Sequence, residues 1–388
     1  QAYKDAIMQP SRQFRGRLLI PKLTMNFTRN SIAYKQDGMQ VPPNTPRFEQ
    51  GRFGKAVLVE DGTTNLNSDP FFKTGVSGWK KEIWTTLEWL SSEYNPFSKQ
   101  NGVMRLYDND GGNKYCSKVV SISNTPHTVS VLLKILKGNI NRINVGGTIF
   151  YTDSTYTDYT WNNSNTTRYD MSAIFGQGVY KLVATITPNS SKTISKYEIR
   201  ISHNSGVATE LFVYAVQLEA KSYPTTFTDG TRAAETLTIP TAGVLNPQEG
   251  TVAFYHFFRS ESEPVPWLVG SSLPNYTQFL AVVKSNANTI RFRTRNLSGT
   301  STVEASVTDG WHYVAARWSS AEITLFIDGQ KVGAVPNPYL PTQLASIIAI
   351  GYNHVSNTQY CNSLIDDLRI SNRAKSDEEI LAAYREVA

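Results

Sequence analysis

Two stretches of this 388-residue chain combine residue types and spacings suited to recognition chemistry. The first is FYTDSTYTDYTWNN at 150–163, which brings together Tyr151, Asp153, Tyr156, Asp158, Tyr159, Trp161 and Asn162. Aromatic faces pack on the C–H surfaces of sugars, while Asn, Asp and backbone groups bond the hydroxyls. An exposed surface of that mixture marks recognition. The same spacing also suits a strand pair whose aromatics fill a core. The second stretch is TIRFRTR at 289–295. Strand alternation puts Arg291, Arg293 and Arg295 on one face and Ile290, Phe292 and Thr294 on the other. Like charges side by side repel unless acid lies close. A guanidinium favours bidentate partners. The partner is then a local Glu or Asp, a neighbouring subunit, or an anionic polymer such as teichoic acid. The plain alternative is a solvated face.

Catalytic signatures are missing. The five histidines fall in no zinc-protease pattern, and there is neither a G-x-S-x-G elbow nor a phosphate loop. Glycoside hydrolysis needs two carboxylates converging at roughly 5–9 Å. Asp366 and Asp367 are adjacent in a strand pattern and point to opposite faces. The chain reads as non-enzymatic.

The elements that must position these residues are strands. KAVLVE, TVSVLLKIL, YKLVATITP, SKYEIRIS and ELFVYAVQL carry β-type patterns. In SKYEIRIS, Tyr197, Ile199 and Ile201 share one face, and Lys196, Glu198 and Arg200 share the other. After Pro224 and Asp229-Gly230 a second strand series runs to the C-terminus. Asp328-Gly329 signals a hairpin within it. Ser376 and Glu379 form a capping box for one short closing helix, with Ile380, Leu381 and Tyr384 as its apolar face. The fold class is all-β: two consecutive antiparallel sandwich or jelly-roll domains, 51–230 and 231–388, behind an N-terminal anchoring arm, 1–50. In that arm, Ala2 to Met8 reads as a helical turn or two and RGRLLIPKL as a short strand.

Composition narrows the partners. Hydrophobic residues make up 40% of the chain, and no apolar run approaches the ~20 residues that span a bilayer, so no membrane insertion is expected. Residues 1–50 hold eight Lys or Arg against three Asp or Glu, which is +5 of the net +6. Leu18, Leu19, Ile20 and Leu23 lie among these charges and favour docking on a protein. Nucleic acid is disfavoured, since no aromatic platform or nucleic-acid motif accompanies the charge. Cys116 and Cys361 fall in different expected domains and read as buried free thiols, consistent with folding in a reducing cytoplasm.

PRFEQGRFGKAVLVEDGTTNL (46–66) and QLEAKSYPTTFTDGTRA (217–233) resemble the start and end of the middle domain of phage tail and minor structural proteins. AYKDAIMQPSRQFRGRLLI resembles the first residues of tail proteins from phages of Gram-positive bacteria. NLNSDPFFKTGVSGW (65–79) resembles the opening of carbohydrate-binding jelly rolls, with Lys73 where those carry a calcium-holding Glu. WHYVAARW, LFIDGQKVG and SLIDDLRISNRAKSDEEILAAY resemble the laminin-G-like or concanavalin-type lectin sandwich. The resemblance implies a virion tail protein, assembled in the host cytoplasm as a homo-oligomer. It would be attached to other tail proteins through its arm and would recognise a host-surface polysaccharide. It also implies a structural calcium, with Asp366 as a ligand; the plain reading of Asp366 is a carboxylate accepting backbone hydrogen bonds at a loop. Two rival functions remain: a purely structural tail or head decoration, and accessory binding modules of a secreted glycosidase.

Overall fold

The computed structural model describes residues 6–8, 24–161, 165–204, 206–259, 266–286 and 288–386, which divide into two compact units. The C-terminal unit takes the described residues within 1–30, 43–61 and 233–388, and the other takes 31–42 and 62–232. The second unit is therefore largely an insertion in the chain of the first.

The C-terminal unit is a sandwich of two antiparallel sheets. One runs Gln330–Pro336, Glu322–Ile327, Gly310–Trp318, Gly250–Phe258, Ser363–Ser371, Gly54–Val59, Arg47–Gly51, with Ala6–Met8 paired to Leu368–Ile370. The other runs Asn26–Thr28, Thr236–Pro240, Ile347–Ile350, Trp267–Ser272, Phe279–Asn286, Thr289–Asn296, Gly299–Ser306. Alternate residues of both sheets, among them Val57, Val59, Phe254, Leu280, Phe292, Val314, Trp318 and Ile365, meet in one buried core. The outer side of the first sheet is covered by the helix Asp377–Arg385, whose Ile380 and Tyr384 pack with Tyr255, Tyr313 and Phe326. The capping box forms as expected: the Ser376 hydroxyl accepts from the Glu379 amide at 3.2 Å, and Glu379 accepts from the Ser376 amide at 2.8 Å. Asp328 and Gly329, at φ 51° and 76°, make the expected hairpin.

The expected division at residue 51 is corrected. Arg47–Gly51 and Gly54–Val59 are not the start of the middle domain, because they complete the sheet of the C-terminal unit through Ser363–Ile365. A buried ion network fixes them there. Arg47 donates to Glu235 at 2.8 and 2.7 Å and to Glu60 at 2.7 Å, and Arg29 donates to Glu235 at 2.7 Å. Burial alone would weaken the proton affinity of Arg47, but Glu235 and Glu60 outweigh it and raise it. The arm expected over 1–50 thus contributes strands to a sandwich. Ala6–Met8 is a strand rather than a helical turn, and the strand expected in RGRLLIPKL lies outside the described residues.

The inserted unit is also a two-sheet antiparallel sandwich. Its six-stranded sheet runs Thr167–Asp170, Val179–Ile186, His127–Lys137, Thr209–Glu219, Gln100–Asp108, Thr86–Asn95. Its five-stranded sheet runs Tyr156–Asp158, Ile143–Tyr151, Ile194–His203, Lys114–Val120, Trp79–Lys80. The core between them includes Met104, Val131, Leu182, Val213, Val145, Ile199 and Ile201. The six-stranded sheet is covered on its far side too, by Tyr34, Phe71, Phe97 and Phe227. Where the unit begins and ends, Thr63–Thr64 pairs antiparallel with Thr231–Arg232, and the hydroxyls of Thr64 and Thr231 lie 3.0 Å apart. A domain whose ends lie together can be inserted into another with little cost to either. Both cysteines are buried and free.

Candidate functional site

Because the six-stranded sheet is covered on both sides, the outer face of the five-stranded sheet is the one left to carry a surface within the inserted unit. The strand Ile194–His203 sends Tyr197, Ile199 and Ile201 into the core, as the alternation predicts, and Lys196, Glu198 and Arg200 outward. The neighbouring strand Lys114–Val120 buries Cys116 and turns Tyr115 outward opposite Ser202. On the other side, Phe150 pairs with Lys196. Gly147 makes this register possible. At φ 140° its missing Cβ would stand 1.8 Å from the Glu198 carbonyl oxygen, so a side chain there would push the strands apart.

On this face cations and rings alternate. The Arg200 guanidinium lies 4.3 Å from the Tyr115 ring centre, and Lys196 lies 4.5 Å from that of Phe150. Trp161 meets Tyr115 edge to face at 6.0 Å, and Tyr156 lies 6.3 Å from Phe150. Glu198 binds both cations, accepting from Lys196 at 2.8 Å and from Arg200 at 2.7 Å. Burial would raise the Glu198 carboxyl, but these two partners outweigh it and hold it below the usual range. Trp161 is placed by the residues before it. Asp158 accepts from the Thr160 amide at 2.8 Å and the Thr148 hydroxyl at 2.9 Å, and Ser202 donates to the Thr160 carbonyl at 2.7 Å. The result is a set of fixed rings around a polar centre in which one carboxylate holds two cations, suited to stacking against pyranose faces while Glu198 and Arg200 bond hydroxyls.

Of the residues singled out in 150–163, this face gathers Tyr156 and Trp161. Tyr151 points the other way: it is a core residue whose hydroxyl accepts from the Asn189 amide at 2.9 Å. Tyr159 packs against the same core and donates to the Thr187 carbonyl at 2.8 Å. Asp153 closes the hairpin tip, accepting from the Thr155 amide at 3.0 Å and pairing with Lys192 at 2.9 Å. The Thr155 hydroxyl and Lys192 hold its carboxyl down at about 2. Asn162 lies outside the described residues. Tyr115, Phe150, Lys196, Glu198 and Arg200 were not recognised as site residues from the sequence. The polar face of SKYEIRIS was visible, but nothing in the chain order says which aromatics flank it.

The arginine row has the orientation that alternation predicts: Ile290, Phe292 and Thr294 are buried, and the three arginines face outward. Arg291 pairs with Glu304 on the next strand.

Asp366 follows its plain reading. One carboxylate oxygen accepts from the Phe53 amide at 3.0 Å and the other from the Asp367 amide at 2.8 Å, fixing the turn between Arg47–Gly51 and Gly54–Val59. Burial raises its carboxyl above the usual value. Among the described residues no three His, Cys, Asp or Glu side chains are grouped to hold a metal. At the other position implied for calcium, the Lys73 ammonium itself binds Asp229 at 2.6 Å.

Residues 229–381 match the profile of the Concanavalin A-like lectin/glucanases superfamily. Those residues are similar to that superfamily and make up most of the C-terminal sandwich. Its strands Arg47–Gly51 and Gly54–Val59 lie outside the matched residues. No curated protein matches the sequence. Among solved structures, the binding domain of botulinum neurotoxin serotype D is similar over 39% of this chain and 40% of its own, at 15% identity and a TM-score of 0.32. The binding domain of botulinum neurotoxin DC in complex with SialylT is similar over 40% of each chain, at 12% identity and 0.33. The Ruminococcus gnavus IT-sialidase CBM40 bound to alpha2,3 sialyllactose is similar over 35% of this chain and 83% of its own, at 16% identity and 0.30. The chain thus covers 40% of the length of each of these neurotoxin binding domains.

Proposed function

We propose that this chain is a non-catalytic adhesion protein of a phage tail that binds a host-surface glycan through the outer face of its inserted unit. The observation that carries the reading is the array of Trp161, Tyr115, Phe150 and Tyr156 around the Glu198 cluster. Tyr156 is 66% exposed, and large rings held at a surface by fixed neighbours are poor core and good ligand platforms. Arg200 and Lys196 are both engaged by Glu198, which leaves a single net positive charge, and a neutral sugar that stacks on the rings fits the face. The lectin-type match of residues 229–381 supports glycan recognition as the business of the whole chain. The resemblance of residues 46–66 and 217–233 to tail proteins supports the virion setting, and the basic N-terminal segment would then meet other tail proteins.

The test is a glycan array and a cell-wall adsorption assay with the full chain. Trp161→Ala combined with Tyr115→Ala should weaken binding of a neutral glycan about tenfold or more, the scale of lost aromatic stacking, and leave the melting temperature unchanged. Undiminished binding would overturn the assignment of this face. Release of reducing ends from the bound wall would overturn the non-catalytic reading.

A further inference from the structure

On the outer face of the seven-stranded sheet, Arg291, Arg293 and Arg295 stand opposite Glu304, Thr302 and Thr300 on one side and Val283, Ala281 and Phe279 on the other. Glu304 neutralises Arg291. Arg293 lies over Phe279, 5.4 Å from the ring centre. Among the described residues, no acidic side chain forms an ion pair with Arg293 or Arg295. Burial, and then repulsion from Arg291 and Arg295, lower the proton affinity of Arg293. A part-buried, uncompensated cation between two others is unfavourable in the free protein, and an arriving anion relieves it.

We propose that Arg293 and Arg295 form a binding site for a phosphodiester-linked polyol chain, separate from the aromatic face of the inserted unit. Alternate residues of a strand recur about every 6.7 Å. In a 1,3-linked glycerol phosphate polymer six bonds separate successive phosphorus atoms, and the extended chain has a similar repeat. Consecutive phosphates can therefore meet consecutive guanidiniums, each through two oxygens in the fork geometry that arginine provides and lysine does not. A single-stranded nucleic acid also carries regular phosphates, but proteins hold it by stacking bases on exposed rings. Here Phe279 and Trp267 are only 3% and 7% exposed and Phe279 lies under Arg293, so the rings beside the arginines are poorly placed to stack bases. The hydroxyls of Thr300 and Thr302, on the strand beside the arginines, suit a polyol backbone.

The experiment is titration calorimetry of the full chain with 1,3-poly(glycerol phosphate) at several salt concentrations. Arg293→Gln with Arg295→Gln should weaken binding about tenfold or more, and wild-type affinity should fall linearly on a log–log plot against salt. Arg293→Lys keeps the charge and removes the fork, and should lose most of the affinity while melting like wild type. If the glutamine pair melts early, this lysine variant still decides the matter. Trp161→Ala should bind the polymer normally, which separates failure of this site from failure of the glycan face. Wild-type affinity in Arg293→Lys, salt-independent binding, or equal affinity for polygalacturonate or a single-stranded oligonucleotide of matched charge would each overturn the proposal.

Discussion

On the inserted unit, Arg200 lies on Tyr115 and Lys196 on Phe150, and both cations share Glu198. On the C-terminal unit, Arg293 lies on Phe279 in the same manner, and among the described residues no carboxylate forms an ion pair with it. Both faces are outer sheet faces whose partner sheet is covered on its far side, by Phe71 and Phe97 in one unit and by the closing helix in the other. The difference comes down to the residue two places earlier on the strand. Before Arg200 that residue is Glu198; before Arg293 it is Arg291, whose counter-charge is already bound across the ladder. Similar architecture thus yields one face whose two cations share a carboxylate and one that keeps two arginines outside any ion pair among the described residues, and the choice of ligand follows from how those charges are paired.

The comparison can be broken most severely by removing the scaffold of one face. Glu235→Gln leaves Arg29 and Arg47 buried with half their counter-charge, and breaking such a cluster costs about 3–5 kcal/mol. Calorimetry should show an early transition that takes phosphate-polymer binding with it, while neutral-glycan binding survives to the second transition. A single unshifted transition would show that the two faces are not carried by separately melting units.

Acid offers a second, slightly smaller lever. Burial, with Lys284 nearby, holds His256 at about 3 against an ordinary 6.5. A histidine depressed by folding contributes stability above its unfolded value, and that contribution is lost as pH falls from 6.5 toward 3. The loss is on the order of a few kcal/mol. The melting temperature of the C-terminal unit should drop across this window, and His256→Asn should flatten the drop. Equal slopes in variant and wild type would remove His256 from the account.

Two substitutions exchange the character of the faces with smaller effects. Glu198→Gln frees Arg200 and Lys196, and should give the inserted unit a salt-sensitive affinity for phosphate polymer while neutral-glycan binding falls about threefold to tenfold. Glu304→Gln frees Arg291 and should strengthen phosphate-polymer binding about twofold to threefold at low salt, the modest value of an exposed pair. Opposite signs in the polymer titration would break the charge argument for either face.

Alternation made much of this legible from the chain alone. Arg291 to Arg295 and Lys196 to Arg200 point outward because Ile290, Phe292, Tyr197, Ile199 and Ile201 are too apolar to do so. The hairpin at Asp328-Gly329 and the cap at Ser376 depend on neighbours a few residues away, and local chemistry suffices for them. Tyr151 and Tyr159 could not be told from Tyr156 by type or spacing. What separates them is the glycine-softened path of Ile143–Tyr151, the Thr187 carbonyl that accepts from the Tyr159 hydroxyl, and the Asn189 amide that donates to the Tyr151 hydroxyl. The true start of the inserted unit was hidden for a related reason. KAVLVE reads as a strand wherever it pairs, and its partner lies at Ser363–Ile365.

That last pairing carries a consequence for synthesis. The Val59 carbonyl and the Cys361 thiol that meets it are 302 residues apart in the chain. At translation rates of ~5–20 residues per second, the outer edge of Gly54–Val59, in the hairpin it forms with Arg47–Gly51, must wait roughly 15–60 s for Ser363–Ile365 to leave the ribosome. The inserted unit is complete well before then and can fold on the nascent chain. Val57 and Val59 meanwhile remain uncovered on a two-stranded hairpin with one open edge, a natural target for holding chaperones and for mispairing with a neighbouring nascent chain.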